Sequence, residues 1–300
     1  MSFLSISTEQ LQKWLDEGLK LSQNGHLPTY IPQLAAVDPC GGAVCLQGVA
    51  GEVYQVGHVT LRFPLMSVIK PFVLLYVLQE VGVEILGQRV GMSPSDQPYY
   101  SWEQLVADGG FPRNPMLNSG AIALCDLMPG NAATERTERF RLWLNEGAGC
   151  GLRLDEGVLD SVRSHPNLRN LKLVETLTQA GYLQKPEQSL DTYQQVCCLS
   201  GAIADISQLG MMLIQPPPSI APQHCEQVLE IMLTCGLYED SPHFAQRVGI
   251  PLKSGVSGIV LGVIPQTGVI ACYSPPLNEQ GHSIAGLWWV ETFVQHIRNI

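Results

Sequence analysis

Ser67 and Lys70 stand three residues apart in "FPLMSVIKPF", residues 63–72. On a helix that spacing puts both side chains on one face. A serine hydroxyl is a poor nucleophile until a base takes its proton. A lysine one turn on can be that base if burial lowers its pKa, because an apolar setting penalises the charged ammonium. Phe63, Leu65, Met66, Val68, Ile69 and Phe72 supply such a setting. A buried lysine is costly, so it needs a reason to be there. A serine at the start of a helix also sits near the positive end of the helix dipole. Pro71 has no N–H to offer the Ser67 carbonyl, so a bend in the first turn is expected.

Alone, the pair reads as ordinary core helix. Serine enzymes built on this spacing carry two further elements, a serine/asparagine motif on a middle loop and a Lys-Thr-Gly triplet on a strand. The chain has "NSG" at 118–120 and "LKSGVSG" at 252–258, so Lys253-Ser254-Gly255 falls in the expected place and order. The ordered set favours a serine hydrolase over chance spacing.

Those residues need elements to position them. Residues 8–24 read as an amphipathic helix, with Ser7 and Gln10 as its capping box. Segments 42–57 and 58–63 read as strands with Gly at the turns, and 67–87 as a helix. A helical middle follows at 102–107, 119–128, 133–146, 155–163, 170–180, 189–199 and 204–213. "QPPPSIAP" (215–222) is a connector, since its prolines forbid helix. After a helix at 223–235, β-rich runs at 248–255, 258–265 and 268–275 precede a last helix at 282–298. Strands early and late with helices between imply an α+β fold: an antiparallel β-sheet flanked by helices, plus an all-helical lobe. One domain over 1–300 is expected, with 1–62 and 223–300 as the sheet-containing lobe and 63–222 as the mostly helical lobe.

The 300 residues carry a net charge of -10, with 17 Lys and Arg against 27 Asp and Glu. No basic stripe is available to neutralise phosphates, so nucleic acid and anionic membrane are not the expected partners. The longest apolar runs are broken by Lys70, Gln79 and Glu80 or by Gly and Pro, and no bilayer span is expected. The start lacks a basic, then apolar, leader pattern. Nine cysteines without a CxxC pair fit reduced thiols, and a cytoplasmic location is expected. Seven histidines show no metal-binding spacing. "GAGCG" (147–151) reads as a helix C-cap rather than a phosphate loop.

The longer segments are more specific. "YIPQLAAVDP" (30–39), "PRNPMLNSGAIAL" (112–124), "LDTYQQVCCLS" (190–200), "CGLYEDSPHFAQRVGIPLKSGVSG" (235–258) and "SPPLNEQGHSIAG" (274–286), with "SVIKP" at 67–71, strongly resemble the serine-dependent glutaminase family. The resemblance runs over about residues 8–295. It implies a β-lactamase-like fold and hydrolysis of L-glutamine to L-glutamate and ammonia, with no metal and no cofactor. By the same resemblance Ser67 is the nucleophile and Lys70 its base. Tyr30, Tyr193 and Tyr238 line the pocket, the last two as proton relays. The N–H groups of Ser67 and Val256 form the oxyanion hole, and Asn118 and Asn170 contact the substrate. A homodimer or homotetramer acting on a small amide is expected.

Some positions depart from the family pattern. The family usually has a glutamate seven residues before the asparagine of the Arg-Asn pair, here Arg169-Asn170, and this chain has Arg163 there. An acid would hold the α-ammonium of glutamine and an arginine would repel it, a contrast of several kcal/mol at contact. Asp160 and Glu156 are the acids a remodelled loop could supply instead. Met66, Ser257 and three positions within 92–101 (Ser93, Asp96 and Tyr100) also depart. Two other readings follow from these changes: a relative acting on another amide or a β-lactam, and a silent protein that binds an amino acid or peptide.

Overall fold

The computed structural model describes residues 6–165 and 167–299. Among the described residues eight strands form: β1 (Ala43–Gly48), β2 (Val53–Gly57), β3 (Phe63–Pro64), β4 (Arg153–Leu154), β5 (Leu199–Gly201), β6 (Leu252–Gly255), β7 (Ile259–Ile264) and β8 (Gly268–Tyr273). Five make one antiparallel sheet in the order β2-β1-β8-β7-β6, so both ends of the chain build it. β1 and β2 turn back on each other at Gly51, whose φ of 95° suits glycine.

Alternation sorts the strand residues between two cores. Val44, Leu46, Val260, Ile270 and Cys272 face the helices Thr8–Ser22 and Ile284–Arg298, meeting Leu11, Leu15, Trp289 and Phe293. Gly18 makes room for the Trp289 indole, which donates to the Trp14 carbonyl at 2.7 Å; a Cβ at Gly18 would lie 2.2 Å from the indole nitrogen. Trp289 and Phe293 are therefore core residues. The other sheet face contributes Cys45, Leu261, Val269 and Ala271 to the larger core, with Ile206 and Leu209 from the helix Ile203–Ile214. That helix lies in the segment expected to be the helical lobe, yet it packs on the sheet.

The remaining long helices are Lys70–Gly87, Asn118–Leu127, Ala133–Ala148, Glu156–Ser164, Leu168–Gln179, Pro186–Cys197 and Pro222–Cys235. Lys70–Gly87, with the turn before it, is long and apolar enough to cross a membrane, contrary to the sequence expectation. Its residues from Lys70 to Leu78 are all buried in the protein, the pattern of a core helix. A non-helical Gly82 kinks it.

Of the expected strand at 58–63 only Phe63 forms part of one, and the expected 189–199 helix stops at Cys197. The residues beyond each stop join a small sheet in the order β3-β5-β4. Leu65 N–H donates to Leu199 O at 2.8 Å, so this sheet delivers the chain directly to Ser67.

Candidate active site

Ser67 lies in a 3-10 turn, Met66–Ile69, that runs into the long helix at Lys70. Met66 has φ 47°, an uncommon left-handed conformation for a side chain of this size. Such strain persists only where surrounding structure over-determines it. β6 supplies part of that structure. A Cβ on Gly255 would meet the Leu65 carbonyl at 2.7 Å and the Ser67 nitrogen at 3.5 Å. Only a glycine lets β6 lie this close, and Val256 follows it at the cavity wall.

Lys70 is completely buried behind Ser67. Its Nζ donates to Met116 O at 2.8 Å and Asn118 Oδ1 at 2.7 Å. Burial pushes its pKa down to about 7. A neutral amine has two N–H groups, and these two carbonyls take both, leaving the lone pair free. Asn118, first residue of its helix, also accepts from the Tyr193 phenol at 3.0 Å and donates to Asn170 Oδ1 at 3.0 Å. Lys70, Asn118, Tyr193 and Asn170 thus form one connected network from four helices. Burial raises the Tyr193 phenol well above its usual pKa, so it stays a donor.

Tyr238 approaches from the other side, in a 3-10 turn (Tyr238–Asp240) with φ 57°. Burial raises its pKa, and a hydrogen bond with the Ser67 hydroxyl opposes part of that rise. Lys70 Nζ lies 5.4 Å and Lys253 Nζ 4.2 Å from its ring centroid. Lys253 is fully buried and donates to Gly236 O and Ser254 O. Burial, then the neighbouring Lys70 charge, lowers its pKa far below that of a free lysine. Ser254 Oγ lies 2.7 Å from His282 Nδ1, and His282 Nε2 is 3.5 Å from Asp240. Burial holds His282 at about 3, so the ring is neutral. It joins β6 to the turn that carries Tyr238.

These groups border a cavity of about 730 Å³. Tyr30, Met66, Ser67, Asn118, Asn170, Tyr193 and Val256 line it; Tyr238 and Lys70 lie behind that wall. Tyr30 is at the mouth, half exposed. Arg163 is not among the lining residues. Its guanidinium turns away and pairs with Asp191 at 2.6 Å, while Val162, Ser164 and His165 face the space. The repulsion expected of Arg163 therefore does not arise in the cavity. Asp160 and Glu156 do not line it either. Sequence reading missed Tyr99, which lines the cavity with its ring centroid 4.8 Å from that of Tyr238, tilted against it, and Arg169, which lies over the Tyr100 ring at 3.8 Å. The doubled tyrosine beside the 92–101 departures was the available signal.

An antiparallel sheet built from both chain ends, with a Ser-x-x-Lys turn at the foot of a buried helix, defines a β-lactamase-like fold. The structure of the probable glutaminase ybaS superposes with a TM-score of 0.90 at 30% identity, over 98% of both chains. A probable glutaminase from Bacillus subtilis, complexed with 6-diazo-5-oxo-L-norleucine, gives 0.88 at 25% identity, over 98% of this chain and 96% of its own. The family model for glutaminase matches residues 25–299. A glutaminase from Synechocystis sp. is 44% identical across 97% of this chain and 89% of its own length. One from Enterobacter sp. is 30% identical over 97% of each. The chain belongs to the glutaminase family. It is an amidohydrolase, and its reaction is hydrolysis of L-glutamine to L-glutamate and ammonia.

Proposed function

We propose that this hydrolysis runs through an acyl-enzyme on Ser67, with Lys70 as base. The observation that carries the proposal is the environment of Lys70: fully buried, its pKa near 7, both N–H groups of its neutral form engaged by carbonyl oxygens. Lys70 takes the Ser67 proton as Ser67 Oγ bonds to the carboxamide carbon. The N–H groups of Ser67 and Val256 hold the oxyanion. The C–N bond then breaks, and Tyr238 and Tyr193 relay a proton from Lys70 to the leaving nitrogen, which departs as ammonia. Water attacks the ester with the same groups in reverse, releasing glutamate and restoring Ser67. Asn118 and Asn170 orient the substrate and Tyr30 closes the mouth.

The chain acts as one unit, with residues from both lobes at one cavity, and as a homodimer or homotetramer. All nine cysteines are free, which supports a reducing, cytoplasmic setting.

The compound 6-diazo-5-oxo-L-norleucine is a glutamine look-alike with a diazoketone in place of the amide. Its diazo carbon takes a proton, Ser67 Oγ bonds to it, and nitrogen gas leaves. Incubation should give one adduct per chain, mapped to Ser67 by peptide mass spectrometry and absent in Ser67→Ala. An adduct on any other residue in the wild type would refute Ser67 as nucleophile.

A further inference from the structure

L-Glutamine brings three polar groups into the cavity: the carboxamide, an α-carboxylate and an α-ammonium. The lining is uneven toward the last two. Among the lining residues only Arg169 carries a fixed charge, and none is a carboxylate. No acid pairs with the Arg169 guanidinium among the described residues. Its Cζ lies 3.8 Å from the Tyr100 ring centroid, a cation–π contact that holds the guanidinium at the cavity wall without using its N–H donors. Arg169 also stands in the first turn of the helix Leu168–Gln179, capped by Asn167, where the dipole favours negative charge. Both features select a carboxylate.

Among the described residues that line the cavity, the α-ammonium finds no carboxylate counterpart. Asp191, on the Pro186–Cys197 helix, does not line the cavity and is engaged by Arg163 and by Gln195. Glu239 has its charge felt at the Tyr99 and Tyr238 phenols, and its Oε2 makes no hydrogen bond. It does not line the cavity, however, and burial raises its pKa, which weakens it as a charge partner. The space also exceeds what glutamine fills: about 730 Å³ is in the range that holds a drug-sized ligand.

We infer that this enzyme recognises its substrate by the carboxylate, through Arg169, and is indifferent to the α-amine, so that it also hydrolyses γ-carboxamides whose α-amine is absent or acylated. This rests on the glutaminase reading and extends its substrate class. The bond chemistry is unchanged: the carboxamide C–N bond breaks, water supplies the hydroxyl, and ammonia leaves.

The test is ammonia release, with kcat and KM, on four compounds: L-glutamine, glutaramate, N-acetyl-L-glutamine and L-glutamine α-methyl ester. Glutaramate and N-acetyl-L-glutamine should be hydrolysed with kcat/KM within about tenfold of glutamine, and the ester at least about tenfold worse. Arg169→Ala should raise KM for the first three about tenfold, with kcat little changed and the poor turnover of the ester unaffected. Arg169→Lys should recover most of that loss, because the charge remains. Glu239→Gln should leave KM for glutamine unchanged. Hydrolysis of glutamine with glutaramate and N-acetyl-L-glutamine more than about a thousandfold slower would overturn the inference and leave the glutaminase reading intact. So would a KM for glutamine that rises in Glu239→Gln while that for glutaramate does not, since Glu239 would then read the ammonium. Absence of ammonia from all four compounds would overturn both.

Discussion

At the scale of single residues, the proposed chemistry depends on one amine that loses its proton near neutrality. Lys70 is held at about 7 by burial, and only its neutral form can accept the Ser67 proton. Activity should therefore rise with pH through about 7, as the ammonium gives up its proton. The free-enzyme profile of kcat/KM on L-glutamine checks this; a flat profile between about pH 5.5 and about 8.5 would contradict it. The types and order of the site residues were readable in the sequence. Ser67, Lys70, Asn118, Tyr193 and Val256 sit in long motifs, and the structure brings them to one place. What was not readable was direction and backbone. The Met116 carbonyl that accepts from Lys70 has no side-chain signature. The resemblance to the family put Arg163 at a substrate-binding position. Its direction is set by Asp191 on another helix, 28 positions away.

At the scale of elements, the site depends on how closely β6 approaches the Ser67 turn. Gly255 permits that approach. In Gly255→Ala the new methyl would meet the Leu65 carbonyl at 2.7 Å, and backbone cannot give way cheaply. Overpacking of this kind costs about 1–3 kcal/mol, and a misplacement of about 1 Å at the reacting atoms costs about a hundredfold in rate. The expected result is a kcat reduced about a hundredfold, with a modest fall in Tm, checked by kinetics and thermal melting. Wild-type kcat in this variant would show that the β6 contact does not position Ser67. The long helices and the β7 and β8 strands were legible because each has several periods of apolar residues. The two- and three-residue strands β3, β4 and β5 have no period to detect. β3 pairs with β5 through Phe63–Gly201 and Pro64–Ser200, and β4 with β5 through Arg153–Ser200 and Leu154–Leu199, partners too far apart in sequence to leave a local signal.

At the scale of the whole molecule, the buried Lys70 amine is a cost to stability. Lys70 titrates near 7 when folded and near 10.5 when not. Between those values the unfolded chain binds more protons, so stability rises with pH across that window. The penalty is fully present below about pH 7 and gone above about 10.5; at 1.36 kcal/mol per pH unit it amounts to about 5 kcal/mol. Lys70→Met removes that penalty and strands the Met116 carbonyl, at about 1–3 kcal/mol, while Asn118 Oδ1 keeps the Tyr193 phenol as its donor. Its Tm relative to wild type should thus be higher at about pH 6.5 than at about 9.5, by about 5 °C or more. A Tm difference that does not change with pH would mean that Lys70 is not held neutral by the fold. Met66, Val68, Ile69, Tyr193 and Tyr238 around it belong to the larger core, whose apolar burial offsets that cost.

The central claim is that glutamine is cleaved by Ser67. The most direct measurement is ammonia release from L-glutamine by wild type and by Ser67→Ala, with circular dichroism to show that the variant is folded. Wild type should release ammonia, and the variant should lose at least about 10⁴-fold in kcat, as removal of a nucleophile does. A folded Ser67→Ala enzyme that keeps kcat within about tenfold of wild type would contradict the claim.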